Sequence, residues 1–310
     1  SLTGAVSFME LYSLTTGLIG QSGRRGALML TIDVKHPDIE HFLKVKKVPN
    51  WVTNQIVEQC NWSGMFNEEE LQTIKNQVME NTQVRFANIS IKASDEFMSA
   101  VDEHRKFGDA EFMVYKKNNK DLVMSAPQDE KNIHYSSGIP SKTISEYKIL
   151  NNFNTFTKLK NYIYKEFNES IEKEDLMDFM KRDVFGDYVI QLKGKDYDIA
   201  LRESGDFMLY FDSPWTNEIR RMVKAREIWD QFVEGNYKTA EPGIIFWTTM
   251  SDYSPSNYVG RPIICTNPCA EVPLEDGGAC NLGSINLSRF VVNGYEANAY
   301  LDWDQLAESS

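Results

Sequence analysis

The sequence lacks the features that mark membrane, secreted and nucleic-acid-binding proteins. No apolar run approaches the roughly 18 residues that span a bilayer, and the mean hydropathy is −0.43. Residues 1–10 contain neither the basic stretch nor the apolar core of a signal peptide, so we expect a cytoplasmic protein. Basic residues are too few for a nucleic-acid binder. The sequence has 33 Lys and Arg but 45 Asp and Glu, which gives a net charge of −12.

Internal repeats and low-complexity segments are also missing. With 42% hydrophobic and 25% charged residues, the composition is that of an ordinary globular protein, which excludes collagen, coiled coil and disorder. The 310 residues suffice for one large domain or two ordinary ones.

Helix and strand signals alternate in the first hundred residues. Ser7 and Glu10 have the spacing of a capping box and predict the start of a helix there. Residues 26–34 form an almost continuous apolar run, which is typical of a buried parallel strand. A second strand is predicted at 84–91, followed by a helix that Ser94 caps. This order predicts an α/β chain with a parallel sheet.

The periodic spacing of apolar residues weakens between residues 107 and 204, which are rich in Lys, Asn, Asp and Tyr. We interpret this stretch as an inserted α+β region. Helical spacing returns at 223–241. A buried strand is then predicted at 241–249, and a last strand-like segment at 284–292.

Three of the four cysteines, Cys265, Cys269 and Cys280, fall within sixteen residues. A zinc site usually needs a second closely spaced ligand pair, and the nearest histidine in sequence is His134, which disfavours a metal site. A hydrolytic thiol would need a histidine base that only the fold could bring close. A buried, inert cysteine in a turn is the simplest alternative.

Asn267, Cys269 and Glu271 occupy alternate positions in the cysteine segment. In an extended chain such residues share one face, so an amide, a thiol and a carboxylate would point at one ligand. The thiol offers a weak S–H bond, the carboxylate a general base and the amide a group that orients the substrate. Burying the carboxylate and the amide is costly without a role, which favours function over an inert turn. Cys280 follows a turn at Gly277 and could return as a redox donor.

The segments N-P-C-A-E and G-A-C-N-L-G-S-I-N-L resemble the active-site finger loop of the ribonucleotide reductase catalytic subunit. The segments R-R-G-A-L-M-L-T-I-D-V-K-H-P-D and R-F-A-N-I-S-I-K-A-S-D-E-F-M resemble the effector-loop segments of the same family. The resemblance covers residues 4–105 and 222–293. It implies about the first half of a ten-stranded α/β barrel that carries an inserted α+β region.

The domain organisation that follows has three parts. Residues 1–106 would form the first part of the barrel with its effector loops. Residues 107–204 would be the inserted region, and residues 205–310 would supply barrel strands and the catalytic finger loop.

The resemblance also implies a role for each residue of the finger loop. Cys269 would be the thiyl-radical cysteine that abstracts the ribose 3′ hydrogen, and Glu271 the base for the 3′-hydroxyl proton. Asn267 would hold the ribose hydroxyls, and Cys280 would be one of two cysteines that become a disulfide. Ala270 departs from the family pattern, in which Gly is frequent.

A second candidate site is the turn at residues 23–26. Arg24 and Arg25 could bind phosphate with two guanidinium groups, although four residues alone favour a solvated basic turn. The resemblance implies an effector site for ATP or a deoxynucleoside triphosphate, to which Gln83 and Arg85 of the second loop would contribute.

The resemblance also indicates partners and a cofactor. It implies a ribonucleotide substrate, a thioredoxin-like reductant, a missing C-terminal half and a homodimer, with neither membrane nor nucleic-acid binding. The amino-acid sequence of the finger loop resembles that of the adenosylcobalamin-dependent class, which favours adenosylcobalamin as radical generator, with a di-metal small subunit as the alternative. No residue of the chain is assigned to a metal. Two other functions stay open, a non-catalytic nucleotide-binding half and a thiol hydrolase that uses Cys269.

We predict that the purified polypeptide 1–310 does not reduce ribonucleotides, because the family chemistry needs a second redox cysteine and further substrate loops. The measurement is deoxynucleotide formation with a chemical reductant and either radical generator. Turnover without a complementing piece would contradict the expectation of a fragment.

Overall fold

The computed structural model describes residues 4–21, 24–46, 50–80, 84–118, 139–213 and 216–310. Helices account for much of the described chain, together with 3₁₀ turns at Ile144–Glu146, Phe179–Lys181 and Leu287–Phe290. The α-helices are α1 (Ala5–Leu18), α2 (Ile39–Phe42), α3 (Asn50–Trp62), α4 (Glu68–Glu80), α5 (Asp95–Phe107), α6 (Phe156–Phe167), α7 (Lys173–Met177), α8 (Ala225–Thr239), α9 (Trp247–Tyr253), α10 (Pro255–Tyr258) and α11 (Trp303–Ser309). None of the described helices is both long and apolar enough to cross a membrane.

The strands are short and fall into several sheets. They are β1 (Gly20–Gln21), β2 (Arg24–Arg25), β3 (Met29–Asp33), β4 (Asn88–Ala93), β5 (Phe112–Asn118), β6 (Tyr147–Phe153), β7 (Tyr188–Ile190), β8 (Tyr197–Glu203), β9 (Asp206–Ser213), β10 (Thr216–Lys224), β11 (Gly243–Phe246), β12 (Ile263–Thr266), β13 (Pro273–Glu275), β14 (Val291–Val292) and β15 (Tyr300–Leu301).

A three-stranded parallel sheet of order β11-β4-β3 lies in the main core. The register places Asp33 of β3 opposite Lys92 of β4. Central β4 is the best-buried strand, with Ile91 fully buried, whereas β3 is an edge strand and is half-exposed along most of its length. The predicted α/β class with a parallel sheet is therefore confirmed, although the strand predicted at 26–34 is limited to Met29–Asp33.

Helix α5 follows β4 directly. Its first turn is capped as predicted, since the backbone N–H of Phe97 donates to Oγ of Ser94 at 3.2 Å. Phe97 is fully buried and meets the ring of Phe207 edge-on, with ring centroids 5.3 Å apart. Strand β9, which carries Phe207, thus closes the same core as the parallel sheet.

A second sheet occupies the region after α5. It is antiparallel with order β6-β5-β8-β7, and the helix α6 buries Leu159 and Ile163 in its core. Antiparallel strands next to short helices give this region an α+β character. The boundaries at 106 and 204 stay predictions.

The strands do not close into a barrel within the described ranges. Two compact units are present, Ser1–Asp276 and Gly277–Ser310. In the second unit, the strand predicted at 284–292 is wrong for most of its length. A 3₁₀ turn occupies Leu287–Phe290, and only Val291–Val292 pairs, with β15.

Two carboxylates seven residues apart on α5 are buried and paired. Glu96 is 2% exposed and accepts a hydrogen bond from Nζ of Lys35 at 2.7 Å and from the backbone N–H of Lys142 at 2.8 Å. Glu103 is 5% exposed and accepts from Nη2 of Arg202 at 2.9 Å. Because residues seven apart lie on one face of a helix, a single face of α5 binds both the core and the region after it.

Asp187 connects the two halves of this ionic cluster. Its Oδ2 accepts from Nζ of Lys142 at 2.6 Å, and its Oδ1 lies 3.6 Å from Nη1 of Arg202. Burial opposes ionisation of Asp187, but Lys142 and Arg202 outweigh it and hold the pKa of the carboxyl below its usual value. The carboxyl group of Asp187 therefore stays ionised at neutral pH.

We predict that Glu96→Ala destabilises the protein by about 3–5 kcal/mol, because it leaves the buried ammonium of Lys35 without a counter-charge. Urea unfolding of the purified protein measures the loss. The control is Asp102→Ala on the same helix, where the pairs with Arg105 and Lys106 are exposed and the free energy of unfolding should hardly change. Equal losses in the two variants would contradict the assignment of the buried cluster.

Candidate functional site

The candidate catalytic residues lie on a β-hairpin, residues 263–275, which we call the Cys269 hairpin. Strands β12 and β13 pair antiparallel, with Thr266 opposite Pro273. The backbone N–H of Asn267 donates to the carbonyl of Val272 at 3.1 Å. In return, the backbone N–H of Val272 donates to Oδ1 of Asn267 at 3.0 Å. The amide side chain of Asn267 thus closes the loop that carries the thiol.

The tip of the hairpin is a tight turn. The backbone N–H of Ala270 donates to the carbonyl of Asn267 at 3.0 Å, and Ala270 has a φ of 66°. This left-handed conformation favours glycine, which explains why Gly suits the position and why Ala carries some strain there.

The extended geometry predicted for residues 267–271 is wrong, because the chain turns at the tip. Alternation along a strand therefore does not bring the three side chains to one face. Cys269 and Glu271 are exposed, and Asn267 is half-buried. Because Glu271 is exposed, the cost of burying its carboxylate gives no reason to infer a role for it. The structure nevertheless brings all three residues into one six-residue loop, with the thiol at its apex.

Cys265 lies on strand β12 of the Cys269 hairpin, opposite Leu274 of β13. Burial raises the pKa of its thiol, and the nearby ammonium of Lys92 only partly offsets this effect. A thiol that resists ionisation is a poor nucleophile. All four cysteines of the chain are free.

Two polar residues of β4 contact the Cys269 hairpin and were missed from the sequence. Nδ2 of Asn88 donates to the carbonyl of Pro268 at 2.8 Å. Nζ of Lys92 donates to the carbonyl of Ile264 at 3.1 Å. The signal was present in the alternation of Asn88, Ser90 and Lys92 with isoleucines, since period two places the polar residues on one face of the strand.

Cys280 lies in the second compact unit, in irregular chain before the 3₁₀ turn, and is half-buried. Among the described residues, no group of three or more His, Cys, Asp and Glu side chains has the arrangement of a metal site.

The candidate effector residues are only partly described. Arg24 and Arg25 form β2, which pairs antiparallel with β1. Gln83 lies outside the described residues. Arg85 is exposed, with its guanidinium carbon 5.6 Å from the ring centroid of Phe86. The structure therefore places Arg24 and Arg25 on a strand, where a turn was predicted. We call the strand pair β1 and β2 the arginine hairpin, and its ligand stays a proposal.

Helix α1 contacts both candidate effector segments. The backbone N–H of Gly26 donates to the carbonyl of Ile19 at 3.0 Å, which ties the end of the arginine hairpin to the end of the helix. The backbone N–H of Val84 donates to Oε2 of Glu10 at 2.6 Å. That of Phe86 donates to Oγ of Ser13 at 2.9 Å. The two segments thus share one support.

The predicted capping box at Ser7 and Glu10 is wrong. The helix begins earlier, at Ala5 after Gly4, and the first N–H is bound by Oδ2 of Asp38 at 2.8 Å. Glu10 is free to bind Val84 instead, a long-range contact that local spacing cannot reveal.

Comparisons with known proteins find relatives that are named as reductases. A vitamin B12-dependent ribonucleoside-diphosphate reductase of Thermoplasma acidophilum is 39% identical over 122 residues, which are 37% of this chain and 15% of that protein. A vitamin B12-dependent ribonucleotide reductase of Agrobacterium fabrum is 25% identical over 304 residues, which are 93% of this chain and 19% of the relative. A vitamin B12-dependent ribonucleotide reductase of Bradyrhizobium diazoefficiens is 26% identical over 325 residues, which are 95% of this chain and 21% of the relative.

The chain thus spans about a fifth of the length of the relatives that it matches almost throughout. The family described as ribonucleotide reductase, barrel domain, matches residues 1–310, which is the whole chain. By this match, the chain belongs to the barrel-domain family of the ribonucleotide reductases.

Proposed function

We propose that this chain is part of the catalytic core of a ribonucleotide reductase, which converts ribonucleotides to deoxyribonucleotides by a thiyl-radical mechanism. The observation that carries the proposal is the exposed thiol of Cys269 at the apex of a closed hairpin. An amide and a carboxylate flank this thiol in the same loop, and the chain matches the reductase barrel family throughout.

Each of the three candidate side chains of the hairpin has its own role in the proposed reaction. Cys269, as a thiyl radical, takes the 3′ hydrogen atom of the ribose, and the exposed carboxylate of Glu271 accepts the 3′-hydroxyl proton. Loss of the 2′-hydroxyl as water follows. Oδ1 of Asn267 is occupied by Val272, so the amide nitrogen is the part that donates to a ribose hydroxyl.

Reduction of the substrate requires two electrons and two protons. We assign Cys280 as one of the two thiols that supply them and become a disulfide, which a thioredoxin-like reductant then reopens.

The radical generator that we propose is adenosylcobalamin. Its support is the names of the relatives, which are called vitamin B12-dependent or adenosylcobalamin-dependent reductases. Radical chemistry is what this cofactor supplies to enzymes that bind it. The exposed position of Cys269 fits such a partner, because a hydrogen atom can leave only from a thiol that the partner can reach. Activity that needs a di-metal small subunit would contradict this assignment.

The effector site is proposed on Arg24, Arg25, Gln83 and Arg85. A cationic hairpin and a neighbouring turn that share helix α1 suit a nucleoside triphosphate, either ATP or a deoxynucleotide. We propose also that the complete enzyme is a homodimer.

The parallel strands β3, β4 and β11 are proposed as members of the ten-stranded barrel. The domain organisation is proposed as 1–106 and 205–310 for barrel segments and 107–204 for the inserted region. Sequence outside these residues would supply the remaining strands.

We predict that Cys269→Ser abolishes ribonucleotide reduction in the complemented enzyme, by at least about a thousandfold, because an O–H bond is too strong to serve in hydrogen-atom transfer. Deoxynucleotide formation measures the loss. Effector binding, followed by calorimetry, should be unchanged because Cys269 lies outside the effector segments.

Cys265→Ser is the matched control, since this thiol lies on the same hairpin and has no assigned role. Retained reduction in Cys269→Ser would refute the radical assignment. Loss of activity on alkylation without any need for a reductant would favour a thiol hydrolase instead.

We predict that Asn267→Asp raises the KM for the ribonucleotide about fivefold to tenfold, because the carboxylate cannot donate to a ribose hydroxyl. Asp still offers an oxygen to the N–H of Val272, so the melting temperature should stay close to that of the wild type. Asn267→Ala loses both contacts and should lower the melting temperature as well. Unchanged kinetics in Asn267→Asp would remove Asn267 from the substrate site.

A further inference from the structure

Two side chains on one face of β4 donate hydrogen bonds to the backbone of the Cys269 hairpin. Asn88 donates to the carbonyl of Pro268, the residue directly before the thiol, and Lys92 donates to the carbonyl of Ile264 at the base of the same arm. Both acceptors are main-chain atoms. The contacts therefore act on the path of the chain, whatever side chains the hairpin carries.

The donors and the acceptors of the two contacts have the same spacing along the chain. Asn88 and Lys92 are four residues apart on β4, and Pro268 and Ile264 are four apart in the opposite direction. The arm thus runs antiparallel along β4, and four strand residues extend about 13 Å. A slip of one residue would move each carbonyl about 3.3 Å from its donor, beyond hydrogen-bond distance. Two contacts at this spacing restrain both sliding and tilting of the arm.

The lysine donor is itself fixed by its neighbours. Lys92 is 7% exposed, and its Nζ lies 4.3 Å from the ring centroid of Trp247, which begins α9 after β11. Asp33 stands opposite Lys92 on β3 and supplies an opposite charge. A charge from β3 and an aromatic ring from the start of α9 thus surround the ammonium that donates to the carbonyl of Ile264.

We propose that Asn88 and Lys92 are positioning residues that set the place of Cys269 above the parallel sheet. The proposal deepens the proposed function and rests on it only where Cys269 is taken as the reacting thiol. Neither residue touches the reacting atoms. Both act through the backbone of the hairpin, with Asn88 next to its tip and Lys92 at its base.

The test variant is Asn88→Asp in the full-length protein. The change keeps the size of the side chain but replaces the N–H donor with a carboxylate that faces the carbonyl of Pro268. Asn88 is exposed, so the fold should tolerate it. Asn236→Asp is the matched control, because Nδ2 of Asn236 also donates to a proline carbonyl, that of Pro242 at 3.0 Å, outside the hairpin.

The first readout is hydrogen exchange of the hairpin amides, measured by mass spectrometry on peptides that cover 263–275. An isolated two-stranded hairpin is barely stable in water, so its N–H groups are protected only while it stays docked. We expect exchange about fivefold faster in Asn88→Asp and unchanged in Asn236→Asp. This readout does not depend on reductase activity.

The second readout is the kinetics of the complemented enzyme. A misplaced thiol should lower kcat about tenfold or more in Asn88→Asp, with a smaller change in KM, because small errors in position penalise the chemical step. Lys92→Met should act in the same way, and Lys92→Arg, which retains a donor and a cation above Trp247, should recover part of kcat.

The outcomes separate this proposal from the proposed function. If the complemented enzyme without any substitution forms no deoxynucleotide, the reductase assignment is contradicted, and faster hairpin exchange in Asn88→Asp still supports the positioning role. Unchanged exchange in Asn88→Asp overturns the positioning role, whether or not kcat falls. Equal effects of Asn88→Asp and Asn236→Asp on the hairpin also overturn it, since they would reflect general loss of stability.

Discussion

Two buried carboxylates on α5 impose the strongest constraint on this chain. A buried charge is costly unless it is paired, so Glu96 and Glu103 require cations from elsewhere in the sequence. Lys35 comes from the parallel-sheet core, whereas Arg202 and the backbone of Lys142 come from the region after α5. The antiparallel sheet is therefore docked where these charges are paired, and a placement without the pairs would leave charges buried and uncompensated.

The same stretch of chain also supports the candidate catalytic residues. Strand β4 binds the Cys269 hairpin through Asn88 and Lys92, and α5, which follows without a break, binds the antiparallel sheet through its carboxylates. One continuous segment thus has the hairpin at one end and the elaborated region at the other. Strand β4 and helix α5 also share a single buried core.

Local rules predicted the elements but not the shape of the site. Ser94 caps α5 as predicted, because an N-cap depends on a few adjacent residues. The extended form expected for 267–271 failed, because a side-chain hydrogen bond of Asn267 and the positive φ of Ala270 replace alternation by a turn. Glu10 has the spacing of a cap yet binds Val84, 74 residues away in sequence. Contacts at such separations depend on the tertiary fold, which periodicity alone does not encode.

Cys269 is exposed, so the role proposed for it depends on accessibility and not on burial. Hydrogen-atom transfer requires a thiol that its partners can reach and that is held firmly enough to meet them at bonding distance. A loop thiol usually meets the first condition at the expense of the second. Here the loop is closed by Asn267, and its arm is bound by β4 at two points, so the apex is accessible while the backbone beneath it is restrained. The chemistry proposed for Cys269 thus calls for the carbonyl contacts of Asn88 and Lys92 in addition to the thiol itself.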